Sequence, residues 1–147
     1  MKEQLISLPT AQLAKEKGFD WQVTAKWEPH QHGNKDLEPY LTERMGLTDF
    51  NSGLYGTANL SAPTPSLLQK WLREIHGIHI DTEAVGSEEE FPRYIQMVYT
   101  CPQDRIDYEL KCLGFGDKDS EEQEYDAYEE ALEAGLQEAL KTIKNDK

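Results

Sequence analysis

The sequence predicts an α+β fold: an antiparallel sheet of about four strands packed by two main helices and a short N-terminal helix. Three observations carry this. Residues 62–85, APTPSLLQKWLREIHGIHIDTEAV, hold a capped helix, a glycine stop and the start of a strand. Period-two alternation of apolar and polar residues recurs around 20–28, 94–101 and 105–113. A second helical pattern with acids at its start and lysines at its end runs from about Asp126 to Ile143.

In chain order, Thr10–Lys17 reads as a short helix capped by Thr10, with Leu13 and Ala14 as its apolar face and Gly18 as its stop. Asp20–Glu28 alternates: Trp21, Val23, Ala25 and Trp27 fall on one face, Gln22, Thr24, Lys26 and Glu28 on the other. The two tryptophans are expected in the core; a stacking role for Trp27 requires an exposed ring. Pro29–Asp36 is a polar turn. Between Leu37 and Ser61 the pattern is weak: Glu43–Leu47 suits a helical turn, Asp49–Gly56 is loop, and Leu54–Leu60 suits an edge strand. Loop-rich stretches of this kind often carry function, which makes this region, with Tyr55, a candidate binding surface.

In the 62–85 stretch, Thr64 is positioned to accept a first-turn N–H and Pro65 fits the first helical position, where its missing N–H costs nothing. Leu67, Leu68, Trp71, Leu72 and Ile75 form the expected buried stripe, and Gly77 closes the helix. Ile78, Ile80 and Thr82 then alternate with His79, Asp81 and Glu83. An acidic loop with Glu88–Glu90 follows. The strands at 94–101 and 105–113 read as a hairpin across Cys101–Asp104, with Ile95, Met97 and Tyr99 as the apolar face of the first. In the last helix, Asp126 and Glu129 have capping-box spacing, and Tyr128, Leu132, Leu136, Ala139, Leu140 and Ile143 form the stripe.

At 147 residues one domain spanning 1–147 is expected. No apolar run reaches the ~18 residues of a membrane span. Met1–Gly18 is charged throughout rather than built as a secretory signal. Two cysteines make no disulfide framework, and together these features favour the cytoplasm. The net charge of −13 is uneven: residues 1–76 carry −1, residues 77–116 carry −5 and residues 117–147 carry −7. Such a surface repels phosphate backbones, so a protein partner is expected rather than nucleic acid or membrane.

No catalytic or cofactor pattern occurs. There is no phosphate-binding glycine loop, no dinucleotide fingerprint and no nucleophile elbow. His30, His32, His76, His79, Cys101 and Cys112 are six potential zinc ligands, but their spacing matches no zinc pattern, so neither metal nor cofactor is expected. Asp117, Asp119, Glu121 and Glu122 lack the glycine and distal glutamate of a calcium loop. Lys70, Arg73 and His76 are the polar side chains the 65–76 helix offers to a partner. As groove-reading residues of a winged helix they are too few in so acidic a chain.

Three segments carry a resemblance: AQLAKEKGFD at Ala11–Asp20, APTPSLLQKWLREIHGIHI at Ala62–Ile80 and YEEALEAGLQEAL at Tyr128–Leu140. In this order and spacing the chain resembles a group of small uncharacterised proteins carried by bacteriophages and mobile elements of gut bacteria. The resemblance implies an accessory protein of a phage or integrated element, in the bacterial cytoplasm. It carries over no catalytic residue. The resulting expectation is a non-enzymatic protein that binds another protein through Lys70, Arg73, His76, Trp27 and Tyr55. The alternatives are an acidic decoy acting through Glu88–Glu90 and Asp117–Glu124, and a small enzyme using His30, His32 and His79.

Overall fold

The computed structural model describes residues 4–28, 39–53, 59–85, 93–100, 111–112, 125 and 127–144. Its elements are α1 (Leu8–Glu16), β1 (Val23–Glu28), β2 (Tyr40–Thr48), β3 (Leu60–Ser61), α2 (Pro65–His76), β4 (Ile78–Val85), β5 (Arg93–Thr100), β6 (Lys111–Cys112) and α3 (Tyr128–Thr142). Among the described residues every strand pair is antiparallel, and the fold is α+β. The strands are divided between two three-stranded sheets, ordered β2-β1-β3 and β4-β5-β6. Among the described residues the 20–28 strand therefore does not share a sheet with the 78–85 strand. Its neighbours come from the 37–61 region, where the sequence pattern is weakest. The chain divides into two compact units, Met1–Leu68 and Gln69–Lys147, and the division falls inside α2.

In the first unit, α1 starts earlier than its sequence pattern suggests. Ser7 is the N-cap residue and Pro9 lies in the first turn, where a missing N–H is tolerated. Thr10 is inside the helix, buried, with its hydroxyl 3.1 Å from that of Ser7. At the other end, Gly18 (φ +87°) donates to Lys15 and Phe19 donates to Ala14, the paired bonds of a left-handed helix stop. β1 pairs with β2 over Val23–Glu28, and an irregularity between Val23 and Ala25 inserts extra residues into β2. The expected helical turn at Glu43–Leu47 is instead part of this nine-residue strand. Pairing with β1 overrides the helix-favouring composition of Glu43, Arg44 and Met45.

Asn51 ties this unit together. Its side-chain amide donates to the Phe19 carbonyl at 2.9 Å, and its Oδ1 accepts from the Ser61 N–H at 3.0 Å. The Ser61 hydroxyl in turn accepts from the Phe50 N–H at 3.1 Å. Ile6, Ala11, Ala14, Phe19, Val23, Ala25, Phe50 and Ala62 are buried in this unit.

α2 occupies the predicted residues. Thr64 Oγ1 accepts from the Leu67 N–H at 3.2 Å, and Gly77 (φ +65°) donates to Arg73 at 3.1 Å. Leu68, Trp71 and Leu72 are buried, but Ile75 is 58% exposed. Helical period places Ile75 on the stripe; only neighbouring elements can cover it, and its last-turn position leaves it open.

In the second unit α3 packs on β4 and β5. Ile78, Ile80 and Val98 are buried, as are Leu132, Leu136, Ala139, Leu140 and Ile143 of the predicted α3 stripe. Tyr128 is the exception, at 45% exposed. The N-cap falls on Ala127, which offers no side-chain acceptor; Asp126 lies outside the described residues. On β5 the register pairs Val98 with Ile80 and Gln96 with Thr82. The α3 side of the strand is thus the Gln96–Val98 side and not that of Ile95, which the sequence pattern places on the apolar face. Gly135 sets the approach of helix to sheet: a Cβ there would stand 2.8 Å from Ile80 Cγ2 and 3.2 Å from Gln96 Oε1. β5 and β6 pair antiparallel, as expected of these two segments, but the register differs: Tyr99 lies opposite Cys112 and Thr100 opposite Lys111, where a four-residue connection at Cys101–Asp104 would set Thr100 opposite Arg105. Residues 101–110 lie outside the described residues.

Candidate functional site

The first unit presents an apolar row that crosses its whole sheet. The register places Leu41 of β2 and Leu60 of β3 on either side of Trp27 of β1. Residues directly opposite in neighbouring strands share a face, so the three side chains form one line. Leu41 is 41% exposed, while Trp27 and Leu60 are half-buried. The indole is fixed in place, because its Nε1–H donates to the Ile6 carbonyl at 3.2 Å. Glu43, opposite Ala25 on the same face, is exposed at the rim. Leu47, farther along β2 in the irregular segment, is 64% exposed. Among the described residues β2 has β1 as its one strand neighbour.

The opposite face of the same sheet holds a buried charged pair. Lys26, expected on the solvent face, is only 4% exposed. Its ammonium forms an ion pair with Glu28 and lies 5.4 Å from the centroid of the Phe50 ring. Glu28 also accepts from the Thr42 hydroxyl at 2.8 Å. The Lys26 hydrogen bond, helped by Thr42 and opposed by partial burial, holds the Glu28 carboxyl below its usual range. A carboxylate so engaged is ionised and neutralised by its partner. The pair therefore presents a satisfied structural contact rather than a nucleophile or general base.

The expected binding residues fall in three settings. Lys70 and Arg73 are exposed on α2, with Lys70 3.8 Å from Glu74 one turn on. His76 is half-buried, its ring edge-on to Trp71 at 4.6 Å. Its Nε2 has no hydrogen-bond partner among the described residues, and burial pushes its pKa below the ordinary value. Trp27 lies in the apolar row. Tyr55 lies outside the described residues, as do His30, His32, Cys101, Glu88–Glu90 and Asp117–Glu124. Among the described residues no three His, Cys, Asp or Glu converge as metal ligands, and no helix is long and apolar enough to cross a membrane.

Sequence reasoning singled out Trp27 but not its neighbours. Leu41 and Leu60 sit in segments without clear periodicity, and only strand register brings them beside the indole. Comparison with known proteins finds no matching family model, no matching curated protein and no matching solved structure.

Proposed function

We propose that this chain is a non-enzymatic accessory protein that acts by binding another protein. The phage or mobile-element setting is what the sequence resemblance implies. The observation that carries the binding role is the Leu41–Trp27–Leu60 row, apolar across three strands and open at its β2 end. An anchored tryptophan flanked by aliphatic side chains, with a polar rim, is the usual make-up of an interface centre. Glu43 at the rim favours a partner that brings an apolar side chain flanked by lysine or arginine.

The test is affinity capture from a bacterial host lysate with wild-type chain, Leu41→Arg and Arg73→Glu. A partner retained by wild type and by Arg73→Glu but lost with Leu41→Arg is the expected result. A partner that survives Leu41→Arg removes the row from the interface. Leu41→Arg should leave stability within about 0.5 kcal/mol, as surface changes do.

The acidic-decoy reading draws support from the charge division. Residues 1–68 hold six Lys/Arg and eight Asp/Glu, a net of −2, while residues 69–147 hold nine and twenty, a net of −11. Under this reading capture weakens steeply with salt and survives Leu41→Arg.

A further inference from the structure

Three tyrosines converge where α3 begins. Tyr94 of β5 and Tyr125 form an isolated antiparallel bridge, each N–H donating to the other's carbonyl at 2.8 Å. That reciprocal pairing puts both side chains on one side of the bridge. Tyr128, the first residue of α3, stands edge-on to Tyr94 with ring centroids 6.0 Å apart and planes at 90°. The two rings make an open corner, because Tyr128 is 45% exposed.

The surroundings of this corner are anionic. Glu129 and Glu130 follow directly in the first turn of α3, and both are exposed. Burial first, and then the Glu138 carboxylate, push the Tyr125 hydroxyl above its ordinary pKa, which places that carboxylate within electrostatic reach of the cluster. The unit as a whole has a net charge of −11 by sequence.

We infer that the Tyr94–Tyr125–Tyr128 cluster is a recognition site for a cationic side chain, lysine or arginine, on a basic segment of a partner protein. The face of an aromatic ring carries negative electrostatic potential and attracts an ammonium or guanidinium placed over it. Two rings at right angles offer such faces on two sides of one position. The glutamates draw the cation in from a distance and exclude phosphates, while the rings supply the short-range contact. A purely apolar ligand would gain nothing from that charge. The inference does not depend on the Leu41 row, which lies in the other unit.

The test is isothermal titration of the full chain with an acetyl-capped hexalysine peptide at low and at physiological ionic strength. Wild type, Tyr128→Phe, Tyr128→Leu and Tyr128→Ala are compared, with circular dichroism checking that each is folded. Tyr128→Phe keeps the ring and should bind as wild type does. Tyr128→Leu and Tyr128→Ala should weaken binding by roughly two- to five-fold, the range of an exposed cation–π contact. Wild-type affinity in Tyr128→Ala would reduce the binding to general charge attraction. Wild-type affinity in Tyr128→Leu would make the contact merely apolar, and no binding of hexalysine by wild type would remove the site. Any of these three results overturns the inference while leaving the Leu41 test unaffected, because that test reads a different surface with a different probe.

Discussion

Gly135 shows how one residue decides two opposed effects. In an exposed helix, Gly→Ala gains up to about 1 kcal/mol of helix propensity. Here the added Cβ meets Ile80 Cγ2 at 2.8 Å, and Ile80 is a buried, β-branched strand residue that cannot swing away. Overpacking of this kind costs about 1–3 kcal/mol, so Gly135→Ala should destabilise by about 1 kcal/mol in urea unfolding. Glu28 gives a second prediction, with a definite sign. Its carboxyl has a lowered pKa in the folded state, so its contribution is present above the usual carboxyl value of 4.5 and is lost as pH falls through the lower folded value. Glu28→Gln removes the charge beside the buried Lys26 ammonium. It should cost about 2 kcal/mol at neutral pH and flatten stability against pH in that acid window, as read from unfolding at stepped pH.

At the scale of elements, the helices differ in how they begin. α2 has its Thr64 cap, whereas α3 is preceded by Ala127, whose extended backbone (φ −127°, ψ 145°) is that of an N-cap without the acceptor. Ala127→Asp supplies the acceptor and a charge that suits the helix dipole. It should stabilise by about 1 kcal/mol in the same unfolding assay. β2 illustrates the reverse relation between sequence and element. Its middle residues favour helix, yet it is a strand because β1 supplies hydrogen-bond partners from Glu28 back to Val23. Thr82 Oγ1 and Gln96 Oε1, opposite each other on β4 and β5, are buried without a hydrogen-bond partner among the described residues. They mark where α3 packs by shape more than by polar pairing.

At the scale of the whole molecule, α2 runs unbroken across the division between the two units. Melting either unit frees one end of a helix that also belongs to the other, and a helix loses its hydrogen-bond ladder cooperatively. The chain is therefore expected to unfold as one domain, in a single calorimetric transition whose calorimetric and van't Hoff enthalpies agree. Two resolved transitions would divide it into independent domains. Because charge is concentrated at −11 in residues 69–147, the transition should also move to higher temperature with added salt, which screens self-repulsion.

By itself the sequence determined the α+β class, the residues of α2, the alternation of β4 and of β1 as far as Ala25, and most of the α3 stripe. These follow from caps, glycine stops and hydrophobic period, all of which act over a few residues along the chain. Tertiary structure decided what distance along the chain cannot encode. It divided the strands between two sheets, buried Lys26 beside Glu28, turned a weak helical signal into β2, and left Ile75 and Tyr128 open although their period places them on a stripe. Both candidate surfaces belong to this second group. Leu41 meets Trp27, and Tyr94 meets Tyr125 and Tyr128, only through strand register and the docking of α3, because side chains far apart in sequence become neighbours when the chain folds back on itself.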